Sequence, residues 1–162
     1  NFINLKVNKK QVGSDRIANA IGVIDKKKNY IIVDFGTATT FDVIIKKDYL
    51  GGVIAPGVDL SLKTLISKAS LIPKVKLKKI KSVVGKNTNS AVRSGFFWGY
   101  RGLIEKMIKL ITSELNKKFI IVLTGGLSYL FNKPYIKKNK IDKDLTIKGL
   151  IKIIKKRKKY ER

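Results

Sequence analysis

The sequence predicts an α/β layer fold, a mixed sheet flanked by helices, and three observations predict it. Three β-branched, apolar runs follow one another at short intervals: Tyr30 to Phe35, Thr39 to Lys46 and Tyr49 to Ala55. Helical spacing dominates the stretch from Asn89 to Leu115. A further apolar run, Phe119 to Leu123, ends in Thr124-Gly125-Gly126 and leads back into helical pattern. Adjacent strands followed by helix, strand and helix are the pattern of a sheet with helices laid over it.

Each element has its own warrant. Phe2 to Val7 reads as a strand. Asp15 to Asp25 sets Ile17, Ala20, Ile21 and Ile24 at three- and four-residue spacing, an amphipathic helix opened by Ser14 or Asp15 and ended by Lys26-Lys27-Lys28-Asn29. Gly36 and Lys47-Asp48 supply the turns between the three strands. Pro56-Gly57 breaks the third strand, and Val58 to Ala69 carries Leu62, Leu65 and Ile66 on one helical face. Leu71 to Lys86 is irregular and basic. The spacing from Asn89 to Leu115 predicts two helices meeting near Gly99, with Met107, Leu110, Ile111 and Leu115 as the later apolar stripe. After a short helix around Leu127 to Phe131 and a Lys-rich connection, a final helix from Leu145 uses Leu150, Ile153 and Ile154. The charge run from Lys152 to Arg162 reads as the solvated face and frayed end of that helix.

Composition narrows the chemistry. The 162 residues, 44% hydrophobic, suit one compact domain, because a chain of about 150 residues buries roughly 68–70% of its unfolded surface. Lys and Arg number 36 against 11 Asp and Glu, a net charge of +25, so nonspecific attraction to nucleic acid is expected. Only Arg16, Arg93, Arg101, Arg157 and Arg162 are arginines, and a Lys excess spread along the chain resembles compositional drift more than a base-reading surface. With no Cys and no His, disulfides, thiolate nucleophiles, imidazole zinc ligation and the Ser-His-Asp triad are excluded. Carboxylates, Lys, hydroxyls and backbone amides must do the work. No apolar run approaches the ~20 residues that cross a bilayer, so a cytoplasmic protein without membrane contact is expected. The chain starts at Asn1, in what reads as the middle of a strand, and a missing beginning is expected.

Asp34-Phe35-Gly36-Thr37-Ala38-Thr39-Thr40 carries the most chemistry. A buried strand ends in a carboxylate and turns through Gly into hydroxyl residues. Gly36 admits close backbone approach, Thr hydroxyls and amides donate to phosphate oxygens, and Asp34 can hold a cation. The plainer alternative is a polar hairpin turn. Gly13-Ser14-Asp15-Arg16 places a carboxylate and a guanidinium at a helix start, where free amides attract anions, or is a plain N-cap with a surface Arg. An Asp there could accept a hydroxyl proton while Arg16 holds a carboxylate or phosphate. Thr124-Gly125-Gly126 lies at the carboxyl end of a strand, where open sheets bind ligands. Gly85-Lys86-Asn87-Thr88 reads as a helix start capped by Thr88, and Gly95 to Tyr100 as close helix packing or a dimer face.

In chain order, Val-Gly-Ser-Asp-Arg (12 to 16), Val-Asp-Phe-Gly-Thr-Ala-Thr-Thr-Phe-Asp (33 to 42), Gly-Gly-Val-Ile-Ala-Pro-Gly (51 to 57), Gly-Lys-Asn-Thr (85 to 88), Ser-Gly-Phe-Phe-Trp-Gly-Tyr (94 to 100), Thr-Gly-Gly-Leu (124 to 127) and Asp-Leu-Thr-Ile-Lys-Gly-Leu (144 to 150) resemble type III pantothenate kinase. The resemblance spans nearly the whole chain. It implies the ribonuclease H-like fold of the actin-like kinase superfamily and transfer of the γ-phosphoryl of ATP to pantothenate, which commits the cell to coenzyme A synthesis. It further implies that Gly13, Ser14, Asp15 and Arg16 contact pantothenate, with Asp15 as the base. Asp34 would bind a monovalent cation, potassium or ammonium. Gly36 and Thr37 would lie against the ATP phosphates, Thr124, Gly125 and Gly126 near the adenosine, and Thr88 would reach pantothenate from the neighbouring subunit of a homodimer.

Two departures stand out. The family opens with Asp-x-Gly-Asn-Thr, whose Asp helps hold magnesium, and that motif is not in these residues, so residues 1–162 are expected to be the second half of a two-half kinase, inactive alone. Where the family places a Tyr against pantothenate, this chain has Lys6. Two other functions compete: a non-catalytic transcriptional accessory factor of the same family, and a ribonuclease H-like nuclease using Asp15, Asp34 and Asp42.

Overall fold

The sheet is built around the Asn29–Phe35 strand, whose central residues Ile31, Ile32 and Val33 are wholly buried because helices cover both faces. The computed structural model describes residues 2–132 and 139–160. In chain order the elements are β1 (Asn4–Leu5), a 3₁₀ turn (Lys9–Gln11), α1 (Ser14–Val23), β2 (Asn29–Phe35), β3 (Ala38–Ile45), β4 (Asp48–Pro56), α2 (Val58–Lys68), α3 (Thr88–Leu115), β5 (Ile120–Gly125), α4 (Ser128–Phe131), β6 (Asn139–Ile141) and α5 (Leu145–Tyr160). The strand order is β1-β4-β3-β2-β5-β6. β2, β3 and β4 form an antiparallel meander, while β1 joins β4, β5 joins β2 and β6 joins β5 in parallel.

Alternation along the strands sends two sets of side chains to opposite faces. Tyr30, Ile32, Ile44, Tyr49 and Val122 meet Ala20 of α1 and Leu145 of α5. Ile31, Val33, Phe35, Phe41, Val43, Ile121 and Leu123 meet Phe97, Ile104 and Ile111 of α3, with Leu130 and Phe131 of α4. Phe35, Phe131 and Phe97 stack in series, ring centroids 5.0 and 6.0 Å apart.

The β3–β4 ladder carries one irregularity with consequences for the site. Val43 faces Gly51, but Ile44 faces Tyr49, so Leu50 is an extra residue and the register slips there. Gly51, at φ +106°, takes the left-handed backbone that this bulge needs. The slip turns Tyr49 onto the α1 face, fully buried, where an unbroken ladder would place it on the other.

Several expectations are corrected. α3 is one continuous 28-residue helix rather than two meeting near Gly99, because Phe97 before that glycine and Ile104 and Ile111 after it pack into one core. Its cap is Asn87, not Thr88: Asn87 Oδ1 accepts from the Ser90 amide at 2.9 Å, and Ser90 Oγ accepts from the Asn87 amide at 3.1 Å. α1 is capped by Gly13 and stops at Val23, before Asp25. On α5 the packed residues are Leu145 and Gly149, the latter against the Ala18 carbonyl, whereas Leu150 and Ile154 are exposed. Leu65 and Leu110 are likewise exposed. The Lys-rich connection holds a short strand, β6, its residues 133–138 lying outside the described residues, as do Asn1 and the last two residues of the charged tail.

Candidate functional site

Asp34 is the penultimate residue of β2 and points to the α1 face, in register with Thr124 of β5 and Thr40 of β3. Its Oδ2 accepts from Asn19 Nδ2 at 2.8 Å, and Asn19 Oδ1 accepts from Thr146 Oγ1 at 2.6 Å. Asn19 is fully buried, so this chain from α5 through α1 fixes one carboxylate oxygen. The other, Oδ1, faces the glycine turns: a Cβ at Gly125 would lie 2.5 Å from it and one at Gly36 4.0 Å. Burial pushes the Asp34 carboxyl above its ordinary range, Asn19's hydrogen bond pulls it back part way, and the charges of Asp15 and Asp42 add to the rise.

Asp15 and Arg16 occupy the first turn of α1, over the same face. Asp15 is exposed, and its carboxylate folds back so that a Cβ at Gly13 would lie 2.5 Å from Oδ1. Ser14 is exposed beside it. Arg16 turns inward: Nε donates to Asp42 Oδ1 at 2.7 Å, and a terminal nitrogen lies 2.7 Å from the same oxygen. Burial opposes the guanidinium charge, but the hydrogen bonds and charge of Asp42 outweigh it and hold Arg16 protonated more firmly than usual. Asp42 is wholly buried and also accepts from Tyr49 Oη at 2.5 Å and Thr40 Oγ1 at 3.3 Å. Burial raises the Asp42 carboxyl, with Arg16, Tyr49 and Thr40 offsetting part of that rise, and burial together with Asp42 raises the Tyr49 phenol.

The carboxyl ends of β2 and β5 open on a cleft of about 570 Å³ lined by Phe35, Gly36, Thr37, Gly126 and Leu127, with Asp59, Leu60 and Lys63 of α2 opposite. Gly57 packs so closely on the Thr37 carbonyl that no side chain fits there. Gly36, Thr37 and Gly126 are exposed, and Gly125, at φ +85°, makes the turn. The Thr124 side chain is buried instead. Lys63, paired with Asp59 at 2.7 Å, is a cation in this cleft that the sequence does not single out, because helical spacing shows only that it faces water. Thr88 stands apart, exposed at the start of α3 on the opposite sheet face from α1. Lys6 follows β1, its amide donating to the Tyr49 carbonyl at 2.9 Å and its ammonium 4.0 Å from Asp48.

Asp34 and its surroundings fit a bound cation. One carboxylate oxygen is held by Asn19, the other faces a concavity that side chains at Gly36 and Gly125 would fill, and oxygen ligands suit hard cations. Among the described residues no group of three or more acidic side chains is placed to hold a metal ion. Nor is any helix among them long and apolar enough to cross a membrane.

A mixed sheet of order β1-β4-β3-β2-β5-β6, with a carboxylate and a Gly-Thr turn at the carboxyl end of β2 beside its parallel neighbour β5, has the ribonuclease H-like fold of the actin-like kinase superfamily. Similarity to known proteins specifies the family. The family described as type III pantothenate kinase matches residues 1–110, and the chain belongs to it. The type III pantothenate kinase of Pelagibacter ubique is 61% identical over 150 residues, covering 93% of this chain and 60% of that protein. That of Paramagnetospirillum magneticum is 43% identical over 145 residues, covering 88% and 56%. The chain thus spans little more than half the length of such relatives. Among solved structures, a protein from Campylobacter jejuni described as a Baf family transcriptional activator superposes with a TM-score of 0.67 at 26% identity, over 98% of this chain and 71% of that one. The Alp12 filament subunit superposes with 0.58 at 17% identity, over 85% and 51%, a likeness of fold alone. The relatives named as kinases do not favour the regulator reading.

Proposed function

We propose that this chain is the C-terminal half of a cytoplasmic kinase that transfers the γ-phosphoryl of ATP to the 4′-hydroxyl of pantothenate, the first step of coenzyme A synthesis. The observation that carries the reading is the placement of Asp15 and Asp34 on one sheet face, beside a turn whose Gly36 and Thr37 line the adjoining cleft. Asp15, exposed at the helix start, accepts the hydroxyl proton as that oxygen bonds to the γ-phosphorus and the bond to the bridging oxygen of ADP breaks. Gly13, Ser14 and Arg16 hold pantothenate. Gly36 and Thr37 donate to phosphate oxygens, and Gly125 and Gly126 border the nucleoside. Asp34 Oδ1 holds potassium or ammonium, which supplies positive charge beside the phosphates.

Such transfer is chiefly positioning and charge neutralisation, which these residue types provide without His or Cys. Magnesium is assigned to an N-terminal half carrying the first phosphate motif. Thr88, on the sheet face away from α1, serves the site of a second subunit in a homodimer, since one chain keeps it apart from Asp15. The test is potassium-stimulated, pantothenate-dependent ADP release by the native gene product. Asp15→Asn should lower kcat by about 10²–10⁴, the usual contribution of a general base. Normal turnover by that variant removes the assigned base.

A further inference from the structure

We propose that Asp42 is a positioning residue that aims the Arg16 guanidinium at the carboxylate end of the substrate. The inference rests on the reading of Gly13 to Arg16 as the pantothenate-facing turn and adds to it a residue that touches no substrate. A guanidinium offers five N–H donors in a rigid plane. Nε donates to Asp42 Oδ1 at 2.7 Å and a terminal nitrogen lies 2.7 Å from the same oxygen, which fixes the plane and leaves other donors for an anion. Asp42 is itself immobile, wholly buried and gripped by Tyr49 Oη and Thr40 Oγ1.

This arrangement is a poor way to gain stability. A buried ion pair is commonly matched or bettered by apolar residues of similar volume, because both charges lose their water. Here a wholly buried carboxylate and phenol are held against a part-buried guanidinium, and the sheet carries a bulge at Leu50, with Gly51 in left-handed backbone, that brings Tyr49 to the Asp42 side. The group stands directly beneath the exposed turn bearing Ser14 and Asp15. A fixed Arg orientation explains the cluster, since a long side chain at a helix start is otherwise free to swing into solvent.

The test compares pantothenate with pantothenol, which has an alcohol in place of the carboxylate, as substrates of the native gene product. Asp42→Asn should raise KM for pantothenate about tenfold or more and change kcat by less than about threefold, with KM for pantothenol unmoved. Arg16→Ala should do the same, and the double variant should be no worse than Arg16→Ala alone, because Asp42 acts only through Arg16. Additive losses, or a pantothenate KM unchanged by Asp42→Asn while Arg16→Ala raises it, overturn the inference and leave the substrate turn standing. If Arg16→Ala changes neither KM, the substrate turn itself is misassigned and the inference falls with it. Should Asp42→Asn not fold, Tyr49→Phe removes one grip on Asp42 and decides the matter: a smaller rise in pantothenate KM is expected, and no rise overturns it.

Discussion

Gly125 stands so close to Asp34 that a Cβ on it would lie 2.5 Å from the carboxylate Oδ1, and its φ of +85° is one that side chains rarely adopt. Both facts oppose the same substitution. Gly125→Ala is expected to lower unfolding free energy by about 1–3 kcal/mol, from left-handed strain and displacement of Asp34 together. Gly126→Ala, with open space at its Cβ position, should stay within about 0.5 kcal/mol of the parent. Urea unfolding of the two variants side by side reads the difference.

Asp34 should make folding prefer acid. Its folded-state carboxyl is raised above the ordinary 3.8 by burial, so the native chain binds a proton more tightly than the unfolded one. That contribution is fully present below 3.8 and is lost as pH rises through the higher folded value. At neutral pH the ionised group is a cost. Asp34→Asn, whose amide oxygen can still accept from Asn19, should remove this fall and melt higher than the parent near neutrality, while abolishing the response to potassium. Melting curves from about pH 4 to about pH 8, with and without potassium, check both. A parent whose stability climbs relative to Asp34→Asn over that window contradicts the assignment.

The interplay of Asp34 with its surroundings marks where sequence reading succeeded and where it stopped. A buried run ending in Asp, then Gly and Thr, was enough to place an exposed turn at a strand end, because those are local properties. The Arg16–Asp42–Tyr49 cluster depends instead on a one-residue slip at Leu50, and only Gly51 hints at it. Period-two alternation cannot show a bulge. Helix α3 misled for the opposite reason: Gly99 has a low helix propensity, but tertiary packing holds the helix through it. Leu150 and Ile154 match a helical stripe, yet α5 meets α1 through Leu145 and Gly149, a close approach that apolar periodicity does not report.

Asn19 couples that α1–α5 contact to the candidate site. It donates to Asp34 and accepts from Thr146, so Asn19→Ala leaves a buried carboxylate oxygen and a hydroxyl each without this partner. A loss of about 1–3 kcal/mol is expected from the unsatisfied groups. Thr146→Val removes only the outer link and should cost less, about 0.5–1.5 kcal/mol. Potassium activation by the native gene product should require more potassium in Asn19→Ala than in Thr146→Val, since only the former frees Asp34 itself.

Two glycines in helix interiors should answer the same substitution with opposite signs. Replacing Gly by Ala in a helix gains roughly 0.5–1 kcal/mol, mostly by restricting the unfolded chain. At Gly99 the new methyl group meets nothing within 4 Å, so Gly99→Ala should stabilise by about that amount. At Gly149 the methyl group would press on the Ala18 backbone carbonyl at the crossing of α5 and α1. Backbone cannot step aside as a flexible side chain can, and relief requires the helices to part. Overpacking of this kind costs about 1–3 kcal/mol, which exceeds the propensity gain, so Gly149→Ala should destabilise. Because α1 carries Asn19 and the Asp15–Arg16 turn, that variant should also raise the potassium requirement, whereas Gly99→Ala should leave it alone. Thermal unfolding and potassium titration of the pair decide it: stabilisation by both would mean that α1 and α5 do not meet as closely as Gly149 and Ala18 require.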